Sequence, residues 1–224
     1  MNTAVALGAY EITTFSFISP KYFDKIRLPK DSKLRNTVVI TNPLGEDTSV
    51  MRTSLLPSMC EIMASNYNNR NASVCLFEMG NEYLPKGGEL PEEPARMCFG
   101  MYGAQYDFYS MKGIIEKLLD TLGIVGAEYE PCKGTSENFG EAPAFHPGRC
   151  AEVFKDGVAI GIFGELHPET LENYGIGVKA YAAKLNLPEM MAASVQKVYK
   201  PLPKYPATTR DLAVVCDEDI PVAH

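Results

Sequence analysis

The side chains best suited to chemistry in this sequence are three histidines: His146 in FHPGR, His167 in ELHPE and His224 at the last position. Imidazole changes charge near neutral pH and ligates metals, so each is a candidate base or ligand. His146 and His167 stand among carboxylates, Glu165 and Glu169, and together these could offer donors to a cation. The HxxxH spacing that puts two ligands on one helix face is missing, however. Both histidines precede proline, which drives the backbone toward extended or turn conformations. The structural reading, a turn histidine bonded to nearby backbone, is therefore preferred. No GxSxG elbow accompanies them. No GxxxxGK[ST] loop and no GxGxxG occur either, which removes the common glycine-rich phosphate cradles. Arg52, Arg70, Arg149 and Arg210 are isolated along the chain and read as loop anchors or salt-bridge partners.

Six cysteines, at positions 60, 75, 98, 132, 150 and 216, form no CxxC pair. That spacing argues against a zinc site or a disulfide framework. In SVCLFEM and ARMCFGM the thiol sits in an apolar run, where it behaves as a small buried hydrophobe. The formal net charge of −7, with KPLPK as the nearest thing to a basic cluster, argues against a main nucleic-acid surface. With 46% hydrophobic and 22% charged residues, a packed core is expected rather than disorder. No run approaches the ~20 apolar residues of a membrane span. MNTAVALGAYEI lacks the basic start and apolar run of a signal peptide, so a cytoplasmic location is expected.

The elements that must position these side chains follow from periodicity. EITTFSFIS (Glu11 to Ser19) and NTVVITNPL read as strands. From Ser54 to Asn69 a helix is expected, with Leu55, Leu56, Met59, Cys60, Ile62 and Met63 at three-and-four spacing, Thr53 or Ser54 as cap and Pro57 in the first turn. Its apolar band is wider than one sheet face needs. Leu55, Leu56, Met59, Ile62 and Met63 are accordingly candidates for a subunit interface, with part of the band expected to stay uncovered. SVCLFEMGNEY and ARMCFGMYG are strands flanking a polar PKGGELPEEP loop, and Asp107 caps a helix that Gly123 stops. CAEVFK and VAIGIFGEL flank Asp156-Gly157, a type I′ hairpin signal. PETLENYG and LPEMMAAS are short helices on either side of the strand VKAYAAKLN. Hairpins and long loops without regular βαβ alternation give an α+β antiparallel sheet. From about Gln196 the chain turns proline-rich and TRDLAVVC begins a new strand.

Four strings, NPLGEDTSVMRTSLLPSM, LFEMGNEY, FHPGRCAEVFKDGVAIGIFGELHPETLENYGI and KYPATTRDLAVV, in this order and spacing, resemble the C-terminal part of the bacterial phenylalanyl-tRNA synthetase β subunit. The resemblance implies a class II synthetase-like antiparallel sheet flanked by helices over residues 1–197. It implies that 198–224 is the truncated start of a ferredoxin-like anticodon-binding domain. LFEMGNEYL is similar to the second class II motif, but Asn81 and Leu84 stand where an active relative places arginines. VKAYAAKLNLPEMM is similar to the third motif without its glycines or its final arginine. Without those cations, charge on a transferring phosphate goes unstabilised. The resemblance therefore implies a non-catalytic assembly module, with no catalytic, cofactor-binding or metal residues and no cofactor of its own. It would act in an (αβ)₂ heterotetramer with an α subunit that uses ATP and Mg²⁺ to charge tRNA(Phe), the tRNA being held mainly by other regions and no membrane being involved. Its rivals are a stand-alone class II-like activating enzyme and a regulatory amino-acid-binding module without chemistry.

Overall fold

A computed structural model describes residues 1–217 apart from 89, 197, 200, 202, 203 and 216. The chain builds one seven-stranded sheet from β1 (Tyr10–Glu11), β4 (Val74–Asn81), β5 (Ala95–Tyr102), β6 (Glu128–Pro131), β7 (Phe145–Lys155), β8 (Val158–Leu166) and β9 (Ala180–Asn186). Its order is β1-β4-β5-β9-β8-β7-β6, antiparallel throughout except that β1 runs parallel to β4. A separate two-stranded ribbon pairs β2 (Phe17–Ile18) with β3 (Val50–Met51). The α+β antiparallel architecture expected from the sequence is the one observed.

Two layers of helix cover the sheet because its central strands are apolar on both faces. On one face α3 (Leu56–Asn68) lays Met59, Cys60 and Met63 against Cys98, Leu76 and Ala182, and α5 (Pro168–Tyr174) and α2 (Tyr22–Lys25) close its flank. On the other, α4 (Phe108–Thr121) lays Met111, Ile115, Leu118 and Leu119 against Met97, Phe99, Met101 and Phe163, beside α1 (Asn2–Ala6) and α6 (Leu187–Ala193). Gly100 lets the first layer approach closely: a Cβ there would fall within 2.7 Å of the Met59 side chain.

Local chemistry explains the boundaries. Asp107 caps α4 by accepting from the Ser110 N–H at 2.7 Å, and Ser110 Oγ accepts in return from Asp107 N–H. Asp156 and Gly157 have φ of 50° and 76°, the paired positive angles of the expected hairpin turn. EITTFSFIS does not form one strand. Thr14 turns its N–H and hydroxyl onto the Glu78 carboxylate at 2.8–3.2 Å, and this breaks the run into β1 and β2. NTVVITNPL keeps only one bridge, Val39 to Val50. TRDLAVVC is likewise no strand over its described residues, 209–215, which are exposed and unpaired with any β element. A β-prone segment needs a neighbour for its backbone hydrogen bonds. The charged strand β6 has no apolar alternation to betray it in the sequence.

Gly123 follows α4 at φ 72°, and a Cβ there would collide with the Val195 carbonyl oxygen. Val195 N–H in turn donates to Leu122 O, tying the end of α6 to the end of α4. Gly123→Ala should cost about 1–3 kcal/mol, from left-handed strain plus this contact. Urea denaturation is the measurement, and an unchanged midpoint would show that the 194–195 segment yields freely.

Candidate functional site

The hairpin β4–β5 and the strand–helix unit β9–α6 carry the segments singled out above as motif-like, and they lie side by side in the sheet. Register aligns Glu78 with Cys98, Cys98 with Lys184, Lys184 with Ile162 and Ile162 with Glu152, so the charged Glu78, Lys184 and Glu152 share one row of the face under α3, separated by the apolar Cys98 and Ile162. Alternation along each strand puts Arg96, opposite Gly80, on the same face.

Every cation in this row is occupied by carboxylates. Lys184 Nζ lies 2.6 Å from Glu141 and 2.9 Å from Glu82, and all three are buried. Arg96 bonds Glu82 at 3.2 Å and stands 3.7 Å from Glu189. Arg52 joins Glu78 at 2.9 Å, with 4% and 2% of the side chains exposed, and also donates to Thr14 Oγ1 and the Asn81 carbonyl. Burial acts on Lys184, Glu141 and Glu82. It pulls the Lys184 ammonium down, but the Glu141 and Glu82 charges outweigh it and hold the group above its ordinary value. Burial pushes the Glu141 carboxyl up, and Lys184 together with Ser54 brings it below its ordinary value. For Glu82 burial wins, and its carboxyl stays raised. Such a cluster is a structural clamp rather than a phosphate grip. Its cations face buried carboxylates, its carboxylates face cations, and the residues do not fit a nucleotide triphosphate or its metal.

Arg52 behaves as the salt-bridge anchor its isolation suggested, but Arg96, Lys184, Glu82 and Glu141 were missed. The signal for Lys184 was present: a lone charge at an inward position of YAAKLN, on a strand buried along nearly its whole length. Nothing in the sequence joins Glu141 to it, since the two meet only across the fold.

The open concavities lie at the end of the sheet. A cleft of about 810 Å³ is lined by Tyr67, Arg70, Tyr102, Tyr106, Lys179 and Tyr181. It adjoins a hollow of about 630 Å³ bearing His146, Arg149 and Glu165. Arg149 reaches Glu165 at 3.1 Å, and Lys179 stands 3.8 Å from the same carboxylate. The His146–Arg149 stretch falls in the register shift of β7. His146 Nδ1 accepts from Gly148 N–H at 3.0 Å and His167 Nδ1 from Glu169 N–H at 3.2 Å, so both are turn histidines bonded to local backbone. Burial and the Arg27 charge hold the His167 ring below its ordinary value, which keeps Nδ1 free to accept. Glu169 pairs with Arg27 at 2.6 Å. Among the described residues no group of three or more His, Cys, Asp or Glu is arranged to hold a metal ion. No helix there is long and apolar enough to cross a membrane. His224 lies outside the described residues.

The helix expected to show an uncovered apolar band does not. Leu55, Leu56, Met59 and Met63 are fully buried inside the chain, because the β2–β3 ribbon and the segment around Phe23 and Ile26 pack over them. Ile62 alone of the five is half-buried, beside a shallow groove with Phe15, Phe17, Ile18 and Tyr22. Phe15 is 82% and Val39 70% exposed, so the ribbon side carries open apolar surface.

Residues 1–187 match the family model described as the phenylalanyl tRNA synthetase beta chain CLM domain. The phenylalanine–tRNA ligase beta subunits of Clostridium tetani and Clostridium acetobutylicum are 45% and 43% identical over 96% of this chain. The chain spans about a quarter of their length, 27% in each. Among solved structures, pyrrolysyl-tRNA synthetase from Desulfitobacterium hafniense superposes with a TM-score of 0.65 at 13% identity, covering 85% of this chain and 64% of that one. That likeness speaks to fold alone.

Proposed function

The chain belongs to the phenylalanyl-tRNA synthetase β-chain family, and from that premise we propose that it is a non-catalytic structural and assembly module of a phenylalanine–tRNA ligase. Residues 1–197 form the degenerate class II synthetase-like unit, and 198–224 open a separate anticodon-binding domain. In this reading the α subunit performs ATP- and Mg²⁺-dependent charging of tRNA(Phe) within an (αβ)₂ assembly in the cytoplasm, and the tRNA is held mainly by other regions.

One observation carries the reading: Arg52, Arg96 and Lys184 on the motif-bearing side of the sheet are each paired with a buried carboxylate. Adenylate formation draws its rate from cations placed to meet charge developing on phosphate. Here Asn81 lends its carbonyl to Arg52, and Leu84 holds a bridge to Glu92. ATP–pyrophosphate exchange with phenylalanine is expected at the blank rate, and calorimetry should show no micromolar ATP binding. Binding at that level would overturn the proposal.

In this reading the α-subunit contact lies on the ribbon side, where Phe15, Phe17 and Ile62 border a shallow groove, rather than on the buried residues of α3. Phe15→Glu should weaken α-subunit association, read by sedimentation, by about tenfold or more, since a buried aromatic anchor contributes on the order of 2 kcal/mol. The second reading, a regulatory amino-acid-binding module, draws on the 810 Å³ cleft with its tyrosines and Arg70. Heat from phenylalanine without ATP would favour it.

A further inference from the structure

Cys132 and Cys150 face each other across the outermost strands of the sheet. Pro131 pairs with Ala151 in the β6–β7 ladder, so the next residues out are directly opposed, and Cys132 N–H donates to Cys150 O at 2.9 Å. Opposed residues in an antiparallel ladder hold their Cα atoms about 4.5–5.5 Å apart. A disulfide spans about 4.4–6.8 Å, so this register needs no backbone rearrangement to accept one. Both thiols are free and buried in the same core cluster, and Cys132 Sγ donates to Thr135 O at 3.7 Å. β6 is an edge strand, so the pair lies at the margin of the sheet, and a hollow of about 480 Å³ borders Cys150 but not Cys132.

We propose that Cys132 and Cys150 form an oxidative modification site, a dithiol that a hydroperoxide converts into a cross-strand disulfide. The two sulfurs take different parts. Interaction with the opposed Cys150 thiol holds the Cys132 thiol down at about 7, whereas the same interaction and burial keep Cys150 protonated. Cys132 is thus the attacking thiolate and Cys150 the resolving thiol. Cys132 Sγ attacks one peroxide oxygen, the O–O bond breaks, and the departing hydroxide (or alkoxide) takes up a proton. Cys150 Sγ then attacks the sulfenic sulfur, the S–O bond breaks, and the thiol proton leaves with the hydroxide as water. Two thiols lose two electrons, and hydrogen peroxide is reduced to two waters. Cys60 and Cys98 also approach each other, but burial pushes both thiols up, and they lie beneath α3 in the middle of the sheet. They serve as the internal control. The new bond would tether the segment after β6, which carries Glu141 to Lys184.

The native protein is exposed to a few-fold excess of hydrogen peroxide, unfolded in N-ethylmaleimide and digested with trypsin. Peptides 118–133 and 150–155 should appear as one disulfide-linked species that dithiothreitol separates, while Cys60, Cys75 and Cys98 are recovered alkylated. Oxidation should raise Tm by roughly 6–12 °C, as closing a loop of this length predicts. Its rate should climb through pH 7. Cys150→Ser should leave a sulfenic acid at Cys132 that dimedone traps, and Cys132→Ser should abolish both products. The wild-type peptide map depends on neither variant folding. Recovery of both peptides alkylated after peroxide overturns the proposal, as does Cys132 linked to another cysteine or a rate that tracks an ordinary thiol.

Discussion

Lys184→Met is expected to destabilise the protein by about 3–5 kcal/mol at pH 8, because it removes one partner from a buried charge cluster and leaves the others desolvated. Lys184 contacts Glu141 at 2.6 Å and Glu82 at 2.9 Å, and Arg96 alone cannot neutralise both. The pH dependence follows from the shifts. In the native protein Glu141 is held below its ordinary value, so its contribution is present above that value and fades as pH falls through the lowered one. Lys184 is held above its ordinary value, so its contribution is complete below that value and is lost only as pH rises through the raised one. In the variant, burial acts on both carboxylates without Lys184 to oppose it, and their folded values rise. The unpaired carboxyls then neutralise on acidification, so the deficit should shrink from pH 8 to pH 5. Urea denaturation at both pH values measures it. Equal deficits would mean that Lys184 contributes packing rather than charge.

Arg52→Met should cost a similar amount, about 3–5 kcal/mol, for the same reason at a second site. Arg52 ties three segments together: Thr14 before β2, Glu78 in β4 and the Asn81 carbonyl at its end. Its own backbone also accepts from Tyr83 N–H and donates to Ser16 O. The double variant Arg52→Met/Glu78→Met should recover most of the loss, since removing both charges leaves no unpaired ion. A double variant as unstable as the sum of the singles would place the cost in the Thr14 and Asn81 bonds instead. If the proposed ribbon-side contact holds, Arg52→Met should also weaken α-subunit association at temperatures where the variant is folded, because the Thr14 contact anchors the segment bearing Phe15.

The paired cations bear on the proposal made for Asn81 and Leu84. A degenerate synthetase motif could leave an empty, solvated face. Here the face is filled instead, by α3 and by cations matched to carboxylates. Under that proposal, arginines introduced at 81 and 84 alone would add charge beside a clamp, not build a site.

What the sequence determined by itself is local. The Asp107 cap, the Asp156-Gly157 turn, Pro57 in the first turn of α3 and the apolar runs of β4, β5, β8 and β9 are set within a few residues, and all were legible. The turn roles of His146 and His167 belong here too, because proline and the local backbone dictate them. Only the tertiary structure decided which apolar and charged side chains meet. The band on α3 looked too wide for one sheet face, yet the ribbon and the Phe23 segment, remote in sequence, cover it. Thr14 left its strand for a carboxylate 64 residues away. Lys184 found Glu141 across 43 residues, and Cys132 met Cys150 through a register that no spacing announces. Periodicity reports which face of an element is apolar, but partner identity across a fold depends on strand order and register, and these are settled by the packing of the whole chain.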